Sequence, residues 1–429
     1  MSNPQKIGVI GLGYVGLPLA VAFFEAGRHV LGFEVPGDRL YAMLAGRSHV
    51  DAVPDAKLAR MLSSTRFEIT TDVRRYSEPD ALLICVPTPL RCQEKASPDT
   101  RYLDVVFRDI SDHARCGQVI VIESTVLPRT TEFYREHLEK NGLKVGRDIY
   151  LAHSPEREDP GNTQFKNTLV SKLLGGVDPE SAEAARLVYE AVFPVVVVSS
   201  ARVAEAAKLL ENTYRLVNIA LINELNLLFR ELRLDTQEII SAAATKPFGF
   251  QPFYPGPGIG GPCIGENPRS LSWYAKVLTG CRLPLIDAAG EYVHKIPAEV
   301  VRVLQTALSR RGECLDGSKV LVIGMTYKRD VADTRGSPGA AITKRLIAAG
   351  AEVHWYDEKV AADFSPHHAA IRITSFWELL QQDFRAVVIT VDDSIYSRKL
   401  EAIVRNSRLV LDTRNATRDI TEKENVIMV

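Results

Sequence analysis

The chain has 429 residues, 46% of them hydrophobic and 24% charged, ordinary proportions for a protein that folds in water and, at about 100 to 200 residues per domain, enough for two or three packed domains. Its 52 Lys and Arg balance 53 Asp and Glu, which removes any general electrostatic reason to seek a nucleic-acid partner. The longest apolar runs, such as residues 81–86 and 195–198, fall far short of the ~20 residues that cross a bilayer.

Residues 6–34, KIGVIGLGYVGLPLAVAFFEAGRHVLGFE, give a β-branched run, a glycine turn, a helical run of small and apolar residues and a second strand ending in Glu34. This is a βαβ unit, the opening of a doubly wound α/β domain. Gly11 permits the tight turn, Gly13 lets backbone approach a pyrophosphate and Gly16 allows the helix to pack on the strand. Glu34 is placed to accept hydrogen bonds from a ribose 2′-hydroxyl and to repel a 2′-phosphate, so NAD is expected rather than NADP. Later strands are expected at 81–86, 119–122, 149–153 and 195–198, in a parallel sheet filling about the first 195 residues.

From Val203 to about Leu234 apolar residues recur every three or four positions with no Gly or Pro, the pattern of one long helix. It is either an internal core helix or one that links domains and offers a face to a second subunit. Residues 318–357 then repeat the opening theme: VLVIGMTYK parallels IGVIGLGYVG, and Asp357 ends its strand as Glu34 does. A second Rossmann-like domain is expected from about Leu315, without the second and third glycines and so with a different ligand. The fold class is α/β, two doubly wound domains joined by a long helical segment. The division is 1–196 for NAD, 197–312 for the central helical segment and 313–429 for the second Rossmann-like domain.

Three more clusters carry chemistry. YPGPGIGGPC, Tyr254 to Cys263, packs four glycines and three prolines ahead of a cysteine and reads as a shaped loop able to line a ligand. Cys263 is either a buried small hydrophobe or a nucleophile. AHSPERED, Ala152 to Asp159, follows a strand where α/β sheets bind ligands; Glu156 is a candidate base, or one charge of a surface loop. Lys208 and Asn212 share a helix face, and the small and apolar surroundings of Lys208 direct it toward a cleft or leave it solvated. The six cysteines include no C-x-x-C pair and no His at zinc-ligand spacing, so no metal site is expected. The opening MSNPQK lacks a signal-peptide succession, and a cytoplasmic location is expected.

Taken together, GLGYVGLPLA, CVPTPL, ESTVLP, SPERE, EAAKLLENTYRLVNIALINEL, ATKPFGFQPFYPGPGIGG and GMTYKRDVADTRGSP resemble the UDP-glucose/GDP-mannose dehydrogenase family, most of all its UDP-N-acetylhexosamine 6-dehydrogenases of the UDP-N-acetylglucosamine type. The resemblance implies oxidation of a C6 alcohol to a carboxylate with two NAD and one water. It places Cys263 as the thiol that carries a thiohemiacetal and then a thioester, with Lys208 and Asn212 on the C6 oxygen. Glu156 and Thr125 would serve the hydrolytic water. Pro87, Thr88 and Thr125 would border the nicotinamide, and Tyr14, Val15 and Arg39 would flank the dinucleotide, with Arg335 reaching toward the same site. Arg157 and the loop of Phe253, Tyr254, Gly256, Gly258, Gly260 and Gly261 would line the sugar, Lys328 would meet the uridine diphosphate, and the long helix would form a dimer core.

The chain departs from that pattern at the cysteine. Where the acetylhexosamine branch has GGHCIP, one variable residue and DP, this chain has GGPCIGENP, so Pro262, Gly265 and Asn267 replace a histidine, a proline and an aspartate. Asn267 cannot titrate, and a base at that point must be Glu156, Glu266 or water. Gly336 also stands where a glutamate is usual. The full dehydrogenase therefore competes with two alternatives: a same-fold enzyme of altered outcome, with one oxidation or none net, and a low-turnover nucleotide-sugar-binding protein.

Overall fold

A computed structural model describes residues 4–92, 96–157 and 169–429, with only the backbone described for Cys92 and Pro262. Two compact units divide at Met1–Glu211 and Asn212–Val429. In the first, β1 (Lys6–Ile10), α1 (Gly16–Glu25), β2 (His29–Phe33), α2 (Asp38–Leu44), α3 (Asp55–Leu62), β3 (Phe67–Thr70) and β4 (Ala81–Ile84) lead to a short hairpin, β5 (Leu90–Cys92) and β6 (Ser97–Pro98). Then follow α4 (Arg101–His113), β7 (Val119–Ile122), α5 (Thr130–Lys140), β8 (Tyr150–His153), β9 (Lys172–Gly176), α6 (Pro179–Tyr189) and β10 (Val195–Val197).

The sheet order is β10-β9-β8-β7-β4-β1-β2-β3. β1 lies between β2 and β4, so the chain reverses its direction of travel across the sheet there, and ligands of such sheets bind beyond the strand ends at that reversal. Buried strand residues alternate between two cores: Ile7 and Val9 pack with α1 and α6, whereas Ile10 packs with Leu103, Val106, Phe107 and Ile110 of α4. The expectation of a wholly parallel sheet is corrected, because β8 and β9 run antiparallel, Ala152 opposite Gly176 and His153 opposite Gly175. β9 thus begins beyond the carboxyl end of β8.

The helix expected from Val203 is α7 (Ala201–Glu231), which crosses the unit boundary. The second unit continues with α8 (Thr236–Ala244), α9 (Pro262–Thr279) and α10 (Pro284–Ser309). Its sheet comprises β11 (Lys319–Ile323), β12 (Glu352–Tyr356), β13 (Ile371–Arg372), β14 (Ala386–Ile389), β15 (Val410–Asp412) and β16 (Val426–Met428), with α11 (Pro338–Ala348), α12 (Phe376–Leu380) and α13 (Leu400–Arg405) between strands. All its pairings are parallel, in the order β13-β12-β11-β14-β15-β16.

Here a second correction arises. The domain lacks a third glycine near its turn, yet Gly339 in the first turn of α11 does the same job: a Cβ there would stand 2.2 Å from the Gly324 carbonyl oxygen, as one on Gly16 would stand 1.9 Å from that of Gly11. Asp357 completes the parallel by accepting the Met325 N–H at 2.6 Å. Among the described residues no helix is long and apolar enough to cross a membrane.

Candidate active site

In the first unit the glycine turn leaves β1 at the reversal of the sheet. Gly11 has φ +88°, and a Cβ on it would meet the Cys85 carbonyl oxygen at 2.9 Å, so Gly11 and Gly16 are glycines for internal reasons. Gly13 is different: a Cβ there would meet nothing within 4 Å. No internal packing requires this bareness, which leaves the backbone open to a ligand from outside, as a dinucleotide pyrophosphate needs. Glu34, buried at the end of β2, accepts the Leu12 N–H at 2.9 Å and the Val35 N–H at 3.0 Å, and Arg39 pairs with it at 2.6 Å. Tyr14 and Val15 lead into α1, the Tyr14 ring edge-on to His49 at 6.3 Å. These residues fit NAD.

Thr88 and Thr125 extend from the adjacent strands β4 and β7, and the Thr88 hydroxyl donates to the Thr125 carbonyl at 2.7 Å; Pro87 beside them is exposed. Glu156 follows β8, the next strand. Its carboxylate accepts the Arg157 N–H at 2.6 Å and pairs with Lys172 at 2.9 Å. The Arg157 guanidinium bonds the Ser171 carbonyl at 2.9 Å and Glu211 of α7 at 2.8 Å, tying this loop to the helix that carries Lys208. Lys208 itself is half-buried. Glu158 and Asp159 of the same cluster lie outside the described residues.

Sequence reading missed Lys172 and Glu123. Lys172 is buried and lies 2.7 Å from Glu123, which is itself wholly buried and accepts the Tyr189 hydroxyl at 2.5 Å. Burial, countered by Lys172 and reinforced by the Glu156 charge, pushes Glu123 up to about 7. For Lys172 burial works the other way, but the Glu123 and Glu156 carboxylates outweigh it and hold the ammonium above its ordinary range. His153, at the end of β8, is wholly buried with neither ring nitrogen hydrogen-bonded; burial, then Lys172, brings it down to about 3.

In the second unit Asn212, one turn beyond Lys208, is 2% exposed and its amide nitrogen has no hydrogen-bond partner. A buried donor left unpaired costs free energy and marks a place where a ligand oxygen would be welcome. The loop that contains Phe253, Tyr254, Gly256, Gly258, Gly260 and Gly261 is irregular backbone, as expected. It is held from three sides: Asn223 of α7 accepts the Gly256 N–H at 3.1 Å, Arg335 accepts the Gly261 N–H at 2.9 Å through its carbonyl, and the Tyr214 ring stands edge-on to Phe253 at 5.8 Å. A Cβ on Gly260 would stand 2.4 Å from Tyr327 Cβ, and one on Gly256 would stand 2.6 Å from an Arg414 guanidinium nitrogen. Arg414, half-buried beyond β15, was also missed by sequence reading; DTR after a strand is a weak signal alone.

Cys263 is not in that loop. Gly261, with φ +77°, is the N-cap of α9, and Cys263 lies in the helix's first turn, exposed. First-turn N–H groups have no helical acceptor and favour negative charge beside them. Asn267 follows one turn later on the same face, and Pro268 inside the helix cannot donate to the Ile264 carbonyl. Lys328 follows β11, half-buried, and Asp333 holds the Arg335 guanidinium at 2.6 Å.

Comparison with known proteins agrees with this architecture. Models of the UDP-glucose/GDP-mannose dehydrogenase family match the chain in order: the NAD binding domain over residues 5–193, the central domain over 202–293 and the UDP binding domain over 321–419. The chain is 34% identical over 370 residues to a UDP-N-acetyl-D-glucosamine 6-dehydrogenase of Pseudomonas aeruginosa, covering 85% of this chain and 86% of that one. It is 32% identical over 421 residues to a UDP-N-acetyl-D-mannosamine dehydrogenase of Pyrococcus horikoshii, covering 97% and 96%. A solved structure of the UDP-N-acetyl-D-mannosamine dehydrogenase from Pyrococcus horikoshii superposes with a TM-score of 0.87 at 30% identity, over 99% of this chain and 98% of that one. A UDP-glucose dehydrogenase from Pyrobaculum islandicum does so with 0.85 at 26%, over 99% and 96%. With all three family domains matched in order over most of its length, the chain belongs to the UDP-glucose/GDP-mannose dehydrogenase family of NAD-dependent oxidoreductases.

Proposed function

We propose that this nucleotide-sugar dehydrogenase oxidises the C6 alcohol of a UDP-N-acetylhexosamine to the carboxylate in two steps at one site. The names of the relatives, which act on N-acetylglucosamine and N-acetylmannosamine forms, support the substrate class. The observation that carries the chemistry is Cys263, exposed in the first turn of an 18-residue helix at the end of a glycine loop. Bound NAD supplies the hydride acceptor for each oxidation.

Lys208 stabilises the negative charge that develops on the C6 oxygen, and Asn212 donates its unpartnered amide to the same atom. The Cys263 thiolate adds to the aldehyde carbon to form a thiohemiacetal, whose oxidation leaves a thioester. Thr125 orders a water, Glu156 takes its proton, and attack expels the thiolate with release of the acid. The balance is one alcohol, two NAD+ and one water in, and one carboxylate, two NADH and three protons out. Lys328 meets the uridine diphosphate, the loop from Phe253 to Gly261 and Arg157 border the sugar, and Gly11, Gly13, Tyr14, Val15, Gly16, Glu34, Arg39, Pro87, Thr88 and Arg335 serve the dinucleotide. The functional division is 1–196, 197–312 and 313–429, and the working form is a dimer built on α7.

Asn267, one turn after Cys263, favours a second reading in which the reaction ends after one oxidation and the aldehyde leaves before the thioester forms. Asn267→Asp separates the two. A dehydrogenase merely slowed by asparagine should form acid on the order of 10²-fold faster once a titratable group is restored. An unchanged rate would mean that this position is not limiting, and a switch of product from aldehyde to acid would establish the second reading.

A further inference from the structure

The buried Lys172 has no part in the steps above, although it touches one of their residues. It is 4% exposed, and its ammonium lies 2.7 Å from Glu123 and 2.9 Å from Glu156. Its position follows from the topology. Lys172 opens β9, and because β9 runs antiparallel to β8, its first residue falls beyond the carboxyl end of β8, where Glu156 is. A parallel β9 would carry its first residue to the opposite edge of the sheet.

Among the described residues, several elements enclose the ammonium. From β7 comes Glu123, from the end of β8 the neutral His153, from the following loop Glu156 with Arg157 beside it, and from α6 Tyr189, whose hydroxyl holds the other oxygen of Glu123. The rings of Tyr189 and Phe193 lie 5.8 and 5.7 Å from the ammonium. Two carboxylates share one cation, so one of them could have been dispensed with for charge balance alone. Glu123, wholly buried, cannot meet substrate; Glu156, with its side chain 12% exposed, keeps access to solvent.

We infer that Lys172 is a positioning residue for the hydrolytic half of the reaction: anchored by Glu123 and Tyr189, it fixes one oxygen of the Glu156 carboxylate and leaves that group oriented to receive a proton from water. This rests on the role proposed for Glu156. Loss of the anchor leaves Glu156 able to rotate, so acid release slows while the oxidations that precede it do not.

The test follows one turnover of the full-length enzyme with NAD and a UDP-N-acetylhexosamine, reading NADH formed per Cys263, acid released, and thioester trapped as hydroxamate. Lys172→Met and Glu156→Gln should both give two NADH per site in the burst, accumulate trappable thioester and release acid roughly 10²-fold more slowly, with KM for sugar and NAD within a few-fold of the parent. Lys172→Arg should recover most of the rate. Glu123→Gln, which leaves Lys172 paired with Glu156 alone, should shift the pH profile of acid release and not that of the burst; it keeps the proposal testable if Lys172→Met fails to fold. If Glu156→Gln slows release but Lys172→Met, folded, does not, the positioning role is overturned and the reading of Glu156 stands. If Glu156→Gln leaves release unchanged, both are overturned.

Discussion

At the scale of single residues, the three glycines of the first turn are not equivalent. Gly16 is required by the fold, because its Cβ would enter the Gly11 carbonyl oxygen; no packing within the fold requires Gly13, which is proposed to lie against the dinucleotide. Gly16→Ala should therefore destabilise the protein by about 1–3 kcal/mol or more, the usual cost of overpacking. Gly13→Ala should leave denaturant stability within about 0.5 kcal/mol of the parent and weaken NAD about tenfold, a loss of about 1.4 kcal/mol. Urea unfolding and calorimetric titration with NAD read the two effects separately, and a destabilised Gly13→Ala would contradict the assignment.

His153 makes a second prediction at this scale. Its folded value of about 3 lies below the ordinary 6.5, so below pH 6.5 the unfolded chain takes up a proton that the folded chain refuses. The stability it contributes is complete above that pH and is lost as pH falls from about 6.5 toward 3, at up to about 1.4 kcal/mol per pH unit. His153→Gln should flatten the fall in unfolding free energy between pH 6 and 4 by that slope. An identical slope in parent and variant would show that the imidazole is not held neutral.

At the scale of elements, how legible each piece was depended on whether its cause was local. The glycine turn and α7 were plain, since turn residues and a three-to-four-residue period are written into adjacent positions. The reversal of β9 was not, because strand direction is decided by pairing with β8 and leaves no mark on KLLGG itself; with it Lys172 was missed. Gly339 escaped for a related reason: the long loop between Gly324 and α11 separates two residues that meet only in the folded turn. Cys263 was assigned to a loop because Pro and Gly dominate the preceding residues, but Pro262 occupies the first turn of a helix, where its missing N–H costs nothing.

α7 carries its own prediction. Leu210, Leu221 and Leu228 are each more than half exposed, and Tyr214 nearly so. The seven-residue steps from Tyr214 to Leu221 to Leu228 put these side chains along one stripe, the seam expected where helices pair. Leu221→Asp should convert the proposed dimer to a monomer in sedimentation velocity without loss of helical circular dichroism. A parent that sediments as a monomer at micromolar concentration would remove the dimer from this account.

At the scale of the whole molecule, two sheets of the same design have been put to different uses. Each places a glycine at the end of its first strand, a carboxylate at the end of the second and a later glycine under the first turn. The sequence made this repetition visible through IGVIGLGYVG and VLVIGMTYK, and the family domains divide it into an NAD site and a UDP site. What neither sheet decides is the outcome at Cys263, where Asn267 stands at the position for which the family resemblance implies an aspartate. The measurement that tests the central claim most directly is the count of NADH per UDP-N-acetylhexosamine consumed, with the sugar product weighed by mass spectrometry. Two NADH and a carboxylate are expected; one NADH with an aldehyde, or an isomer with none, would contradict the two-step reaction.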